Sequence, residues 1–142
     1  MKQYIDVTGD HEFELEKGDE ILIDTAKFWA SRLEYNHALD NYEIRDVIGP
    51  DEYKEHINNN ANTNYTAQWN VAFAIKLIED LRRDEPDFYE KLEKKLNLSV
   101  LIEKLSVKVD KILLHKATDG GIMPQDDSYL TKKVIELSKY RE

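Results

Sequence analysis

Between Asp46 and His56 the chain gathers four carboxylates (Asp46, Asp51, Glu52 and Glu55) and a histidine within eleven residues, around the pair Gly49-Pro50. Proline fixes φ and glycine admits turn conformations closed to other residues, so this pair can hold a loop rigid. A carboxyl group presented on such a loop among aromatic side chains can have its pKa raised and act as a general acid. The competing reading is a solvated acidic loop, because structural ion pairs gather the same residue types. Asp51, Glu52, Glu55 and His56 also offer oxygen and nitrogen ligands to a metal. Their spacing fits neither a calcium-binding EF-hand loop nor the two-histidine zinc helix, and the four histidines are scattered along the chain. No metal is expected.

A second stretch, Gly121-Ile122-Met123-Pro124-Gln125-Asp126-Asp127-Ser128-Tyr129, has the same character. Gln125 and the paired aspartates can bond sugar hydroxyls, and Met123 and Tyr129 supply apolar faces. A helix cap at Asp127 or Ser128 explains the spacing equally well. There is no glycine-rich phosphate loop and no Gly-x-Ser-x-Gly elbow. Trp29 and Trp69 fall on helical stripes, where the expected role is core packing rather than a sugar platform.

These stretches need elements to position them. Ile21, Leu22, Thr25, Phe28, Trp29 and Leu33 recur at three and four, which predicts a helix over 18–34. A short helical turn precedes it, with Asp10 as cap and Gly18 as a break or kink. The stretch 35–64 is rich in Asn, Asp and Gly, including five asparagines between 58 and 64, and reads as an ordered loop. Tyr42, Ile44 and Val47 suggest a small hairpin within it. Tyr65, Trp69, Phe73, Leu77 and Leu81 step by four, predicting a helix over 63–83. Pro86 marks the start of a third helix over 87–96. Ser99 is a candidate cap for a fourth that carries Ile102, Leu105, Val109, Ile112 and Leu113. A final amphipathic stretch is expected over 129–140. No run of alternating strands appears, so the class is all-α, built as helical hairpins with long loops.

Composition narrows the function classes. With 142 residues and 41% hydrophobic side chains, the chain is one domain at most and can build a core. The formal charge of −9 argues against nucleic acid and anionic membrane surfaces, which need clustered Lys and Arg. The chain has no cysteine, which removes disulfides, thiolate metal sites and cysteine nucleophiles. No stretch reaches the roughly 20 apolar residues of a membrane span, and the N-terminus lacks a signal pattern. The expected compartment is the cytoplasm.

Five segments in order carry a resemblance: Phe28-Trp29-Ala30-Ser31-Arg32, Val47-Ile48-Gly49-Pro50-Asp51-Glu52-Tyr53, Asn59-Asn60-Ala61 with Thr63-Asn64, Trp69-Asn70, and Pro124-Gln125-Asp126-Asp127-Ser128. Together they resemble glycoside hydrolase family 65, the maltose, kojibiose and trehalose phosphorylases. The resemblance implies that residues 1–142 are part of the central (α/α)₆ barrel of a much longer enzyme. It implies Glu52 as the general acid of an inverting phosphorolysis, with Asp51, Tyr53, Glu55, Asn60, Asn64, Gln125 and Asp126 as substrate contacts. Disaccharide and inorganic phosphate would be the substrates, with no cofactor. The family usually carries His at the position of Lys54, Asp at Asn58 and Tyr at Asn62. The chain also lacks the family's Trp-Asp pair, its Lys-Gln-Ala-Asp segment and its phosphate-binding residues, so activity of the chain alone is not expected. Alternatives are a fragment of a related glycoside hydrolase, or a helical assembly module whose exposed helix faces form a homo-oligomer.

Overall fold

A computed structural model describes residues 1–133 and 135–140. The N-terminal helix α1 (Lys2–Thr8) ends at Gly9 in the left-handed conformation, whose N–H returns to the carbonyl of Ile5. Asp10 then caps the next turn, α2 (His11–Phe13), by accepting from the Phe13 N–H. The chain does not break at Gly18. Instead a π turn spans Glu14–Gly18 and runs directly into α3 (Asp19–Arg32). Gly18 is buried beneath α1, and a side chain there would press on Ile5. α3 buries Leu22, Ile23 and Ala26.

Leu33 turns the chain into extended backbone, and a two-stranded antiparallel sheet follows: β1 (Glu34–Asn36) and β2 (Asn41–Glu43), with Tyr35 opposite Tyr42. The expected hairpin over Tyr42, Ile44 and Val47 is thus displaced toward the N-terminus, and only Tyr42 belongs to it. The reason is local. The Asn36 side chain accepts from the N–H groups of Ala38 and Leu39, which folds the turn at 37–40.

α4 (Ala61–Asp84) is capped by Asn60, whose side chain accepts from the Thr63 N–H. Its buried line is Asn64, Ala67, Asn70, Val71, Ala74, Ile78 and Leu81; of the expected stripe Leu81 is buried and Leu77 packs against the core, but Tyr65 and Trp69 are exposed. Trp69 is 50% exposed and stacks on Phe73. Both stripes have helical period, and it is the line with Ala67 and Ala74 at its centre that faces α3 and α6. Trp29 does pack against the core, as expected.

α5 (Pro86–Leu96) begins on its proline and ends at Asn97, with φ 55°. α6 (Leu98–Val109) follows at once. Ser99 lies inside this helix rather than capping it: its N–H and Oγ both bond the Glu93 carboxylate, which takes over the capping role. Ile112 and Leu113 lie beyond the helix, where the chain pairs with Tyr42 through Tyr42 N–H to Lys111 O and Leu113 N–H to Tyr42 O. The expected amphipathic stretch over 129–140 contains only short 3₁₀ turns, Tyr129–Thr131 and Leu137–Tyr140, and position 134 lies outside the described residues.

Three hydrophobic clusters form a continuous core along α4. Ile23, Ile78, Leu81, Tyr89, Leu92 and Leu98 meet at its C-terminal end. Ala26, Val71, Ala74, Leu105 and Val109 fill the middle. Leu33, Ile44, Ala67 and Ile112 close the end that carries the hairpin and the long loop. The chain is all-α apart from the hairpin, as the sequence predicts.

Candidate active site

The loop that carries the acidic cluster is closed at its base and open at its tip. Val47 and Ile57 exchange two backbone hydrogen bonds of 3.0 Å each, and buried Ile57 ties this base to the protein. Between them, Gly49 adopts φ 79°, and a Cβ there would lie 2.7 Å from the Asn60 Nδ2. Gly49 is therefore demanded twice, by its conformation and by the carboxamide against it. At the tip, the Lys54 N–H donates to the Asp51 carbonyl and the Tyr53 N–H to the Asp51 carboxylate. Glu52 and Tyr53 occupy the centre of this turn and are both exposed.

Behind the loop lies a dense polar layer. Asn59, buried with φ 53°, accepts from the Ile44 N–H and the Asn64 Nδ2 through its Oδ1 and donates to Asp127 through its Nδ2. Its carbonyl lies 2.7 Å from the His115 Nε2. Asn64 also donates to the Leu113 carbonyl. Asn60 is completely buried. It caps α4 and donates to the Gln125 carbonyl, which also accepts from the Ala61 N–H. The run of asparagines is thus a scaffold that welds the start of α4 to the second loop.

The two loops meet through one charged contact: the Lys54 ammonium bonds the carboxylate of Asp126. Asp126 is 1% exposed, and it also accepts from the N–H and Oγ of Ser128. Burial acts to raise its pKa, but the bonds from Lys54 and Ser128 outweigh it and hold the carboxyl below its usual range. Lys54 further lies 5.8 Å from the centre of the Tyr129 ring. At the far side of the loop, His56 Nδ1 sits 2.6 Å from Asp46, and that bond raises the imidazole pKa.

The structure therefore sorts the expected site residues into two groups. Glu52, Asp51, Tyr53 and Glu55 lie exposed on the loop, and Gln125 is half-buried beside it. Asn60, Asn64 and Asp126 are buried and bonded to protein groups. The cap expected at Asp127 or Ser128 is replaced by the Asp126 side chain bonding Ser128. A hollow of about 300 Å³ beside the loop is lined by Asp46, Val47, Ile48, Glu55 and His56, not by Glu52. No group of three metal-ligating side chains forms among the described residues.

The family model for the glycosyl hydrolase family 65 central catalytic domain matches residues 1–142. The chain belongs to glycosyl hydrolase family 65. It is 48% identical over 139 residues to a kojibiose phosphorylase of Halothermothrix orenii, covering 97% of this chain and 18% of that protein. It is 38% identical over 132 residues to a kojibiose hydrolase of Flavobacterium johnsoniae, covering 93% and 17%. A solved structure described as a putative kojibiose phosphorylase from human microbiome superposes with a TM-score of 0.82 at 22% identity, over 99% of this chain and 19% of that one. That likeness speaks to the fold alone. The chain spans under a fifth of the length of these relatives. Within this family 65 segment, sequence reasoning missed two things: the tie between Lys54 and Asp126, and the hub at Asn59. Lys54 was visible as a departure from the family pattern, and an asparagine before a helix is a known left-handed residue. Neither signal names its partner.

Proposed function

We propose that this chain is a segment of the catalytic barrel of an inverting phosphorylase that cleaves an α-glucosyl disaccharide, with Glu52 as its general acid. The reading rests on one observation above all: a catalytic-domain match over the whole chain, with Glu52 at the exposed tip of a loop braced on every side. In this mechanism the Glu52 carboxyl gives its proton to the glycosidic oxygen as the bond to the anomeric carbon breaks. Phosphate attacks that carbon from the opposite face and forms β-glucose 1-phosphate. Because phosphate is itself the nucleophile, no second carboxylate is needed to activate water. In this reading Asp51, Tyr53, Glu55 and Gln125 meet sugar hydroxyls, whereas Asn60, Asn64 and Asp126 act from behind by fixing the loop. No cofactor enters this scheme. The similarity to a kojibiose phosphorylase favours kojibiose as the disaccharide, ahead of maltose and trehalose.

Catalysis demands acid, sugar and phosphate in near-attack geometry, worth several kcal/mol of the barrier. An exposed acid on a segment of this size does not provide that enclosure. We therefore expect the isolated chain to lack turnover and to associate through its exposed apolar side chains. A second reading, hydrolysis by water in place of phosphate, is favoured by the kojibiose hydrolase among the relatives. The test is a chimera in which this segment replaces its counterpart in the Halothermothrix orenii phosphorylase. Glucose 1-phosphate should form from kojibiose and phosphate, and Glu52→Gln should cut the rate by orders of magnitude while Glu55→Gln costs far less. Equal losses would remove Glu52 from its role. Glucose release without phosphate consumption would favour the hydrolase.

A further inference from the structure

At the opposite end of α4 from the loop, on the order of 30 Å away along the helix, a cavity of about 290 Å³ opens between the π turn and α4. Leu15, Phe73, Leu77 and Leu81 give it apolar walls. Asp19 also lines it, at 1% exposure. The Asp19 Oδ1 is buried and has no hydrogen-bond partner among the described residues. Buried carboxylates are ordinarily paired, so an orphan of this kind calls for a reason.

The basic groups around the cavity do not supply one, since each is committed elsewhere. Lys2 bonds Asp6 at 2.6 Å and Lys76 bonds Asp80 at 2.5 Å. His11 sits between Glu14 and Glu85 at 3.1 and 3.4 Å. Asp80 and Asp84 share Arg83. Burial, with help from the Glu14 charge and against the pull of His11, pushes the Asp19 carboxyl up to about 7. An anion would be repelled by the acidic lining, and a neutral ligand would leave the Asp19 charge uncompensated. A metal ion lacks ligands, because no group of three ligating side chains forms among the described residues.

We propose that this cavity binds an organic cation, an alkylammonium or alkylguanidinium whose head pairs with Asp19 and whose stem lies along Leu15, Phe73 and Leu77. The head would satisfy the orphan oxygen with a charge-assisted bond, and the stem would cover the apolar wall. The source is either a free small molecule or a Lys or Arg side chain of another polypeptide. The site does not depend on the catalytic reading of Glu52.

The test is isothermal titration of the purified chain with n-butylamine, n-butylguanidine and N-acetylarginine amide, at about pH 8.5 and about pH 5.5. Alkylguanidinium keeps its charge at both values, so its pH dependence reports on the protein. Saturable binding is expected at the higher pH, more than about tenfold weaker at the lower, lost in Asp19→Asn and kept in Asp84→Asn. His11 titrates in the same range, its pKa raised by its bonds to Glu14 and Glu85. His11→Gln should therefore bind with the same pH dependence, and loss of that dependence would overturn the assignment to Asp19. Binding of the arginine amide as tight as butylguanidine supports the site with a side-chain source. Binding of the butyl compounds alone supports it with a free cation. No saturable binding at pH 8.5, or full binding by Asp19→Asn, overturns the proposal. The pH comparison uses the unaltered chain and decides even if a variant does not fold.

Discussion

Lys54 and Asp126 stand 72 positions apart in sequence, and their contact is the one ionic tie between the two loops among the described residues. Removing one member of such a pair leaves a buried charge without compensation, which typically costs about 3–5 kcal/mol. Lys54→Met should therefore lower the urea midpoint of the chain strongly. Asp126→Asn leaves the Lys54 ammonium, which is 13% exposed, and keeps an acceptor for Ser128, so its loss should be smaller. Asp19 makes the opposite kind of statement. Its folded pKa of about 7 lies above the ordinary carboxylate value because burial disfavours its charge. The native state then binds more protons than the unfolded chain between the two values, and stability falls as pH rises through that window. Melting temperatures between about pH 5 and 8 should decline in the unaltered chain and decline less in Asp19→Asn. The same slope in both would show that Asp19 is not the group responsible.

At the scale of elements, the loop 48–56 is held by its base, by Gly49 against Asn60, and by the tether of Lys54. Gly49→Ala meets both a positive φ and a contact of 2.7 Å. It should cost about 1–3 kcal/mol and speed amide exchange across the loop. Gly9→Ala has a similar φ of 63° but open space around it, and should cost about 1 kcal/mol. Similar losses would mean that the Asn60 contact contributes nothing. Asn60→Ala should remove about 1–2 kcal/mol through the lost cap alone. Much at this scale could be read from the sequence. The four longer helices α3 to α6, the Asp10 cap, the proline start of α5 and the loop at 48–56 follow from local rules of period and turn chemistry, whereas α1 was not expected. The errors share a cause. The aromatic positions of α4 and its buried line have the same period, so choosing between them requires knowing what α4 packs against. Ser99 satisfies every local rule for a cap, yet Glu93 from the preceding helix reaches the same groups. The hairpin was placed too late because Asn36 folds a turn that apolar spacing cannot reveal. The site was legible as a motif, but which of its residues are presented and which are buried was not.

At the scale of the whole molecule, the core runs as one seam along α4, with the loop at one end and the Asp19 cavity at the other. Phe28, Ile21, Tyr65 and Trp69 remain substantially exposed on the helices beside it. Apolar side chains in such number favour association. Sedimentation of the isolated chain should show mass rising with concentration, and Phe28→Glu with Trp69→Glu should reduce it. A strictly monomeric chain at high concentration would show that these residues do not associate on their own. In the proposed barrel these faces would be covered. The chimera should therefore be far more resistant to urea than the isolated segment, and it is the setting in which Glu52 should act.

The π turn at Glu14–Gly18 has a further consequence. Each residue of an α-helix advances about 100° around the axis, and a π turn absorbs one extra residue without breaking the rod. The helical stretch from His11 to Arg32 therefore carries a phase step in its middle. Upstream of it, His11 follows one register of the helical faces; downstream, Asp19, Leu22 and Ile23 follow another, one residue out of step. Excising a single residue from the turn would heal the rod into continuous α-helix while leaving α3 and its core contacts in place. Because the π turn already takes up the extra residue, the flanking turns would keep their facing, and only the lining set by Glu14 and Leu15 would change. The π turn thus presents Glu14 and Leu15 to the cavity while α3 keeps its core contacts.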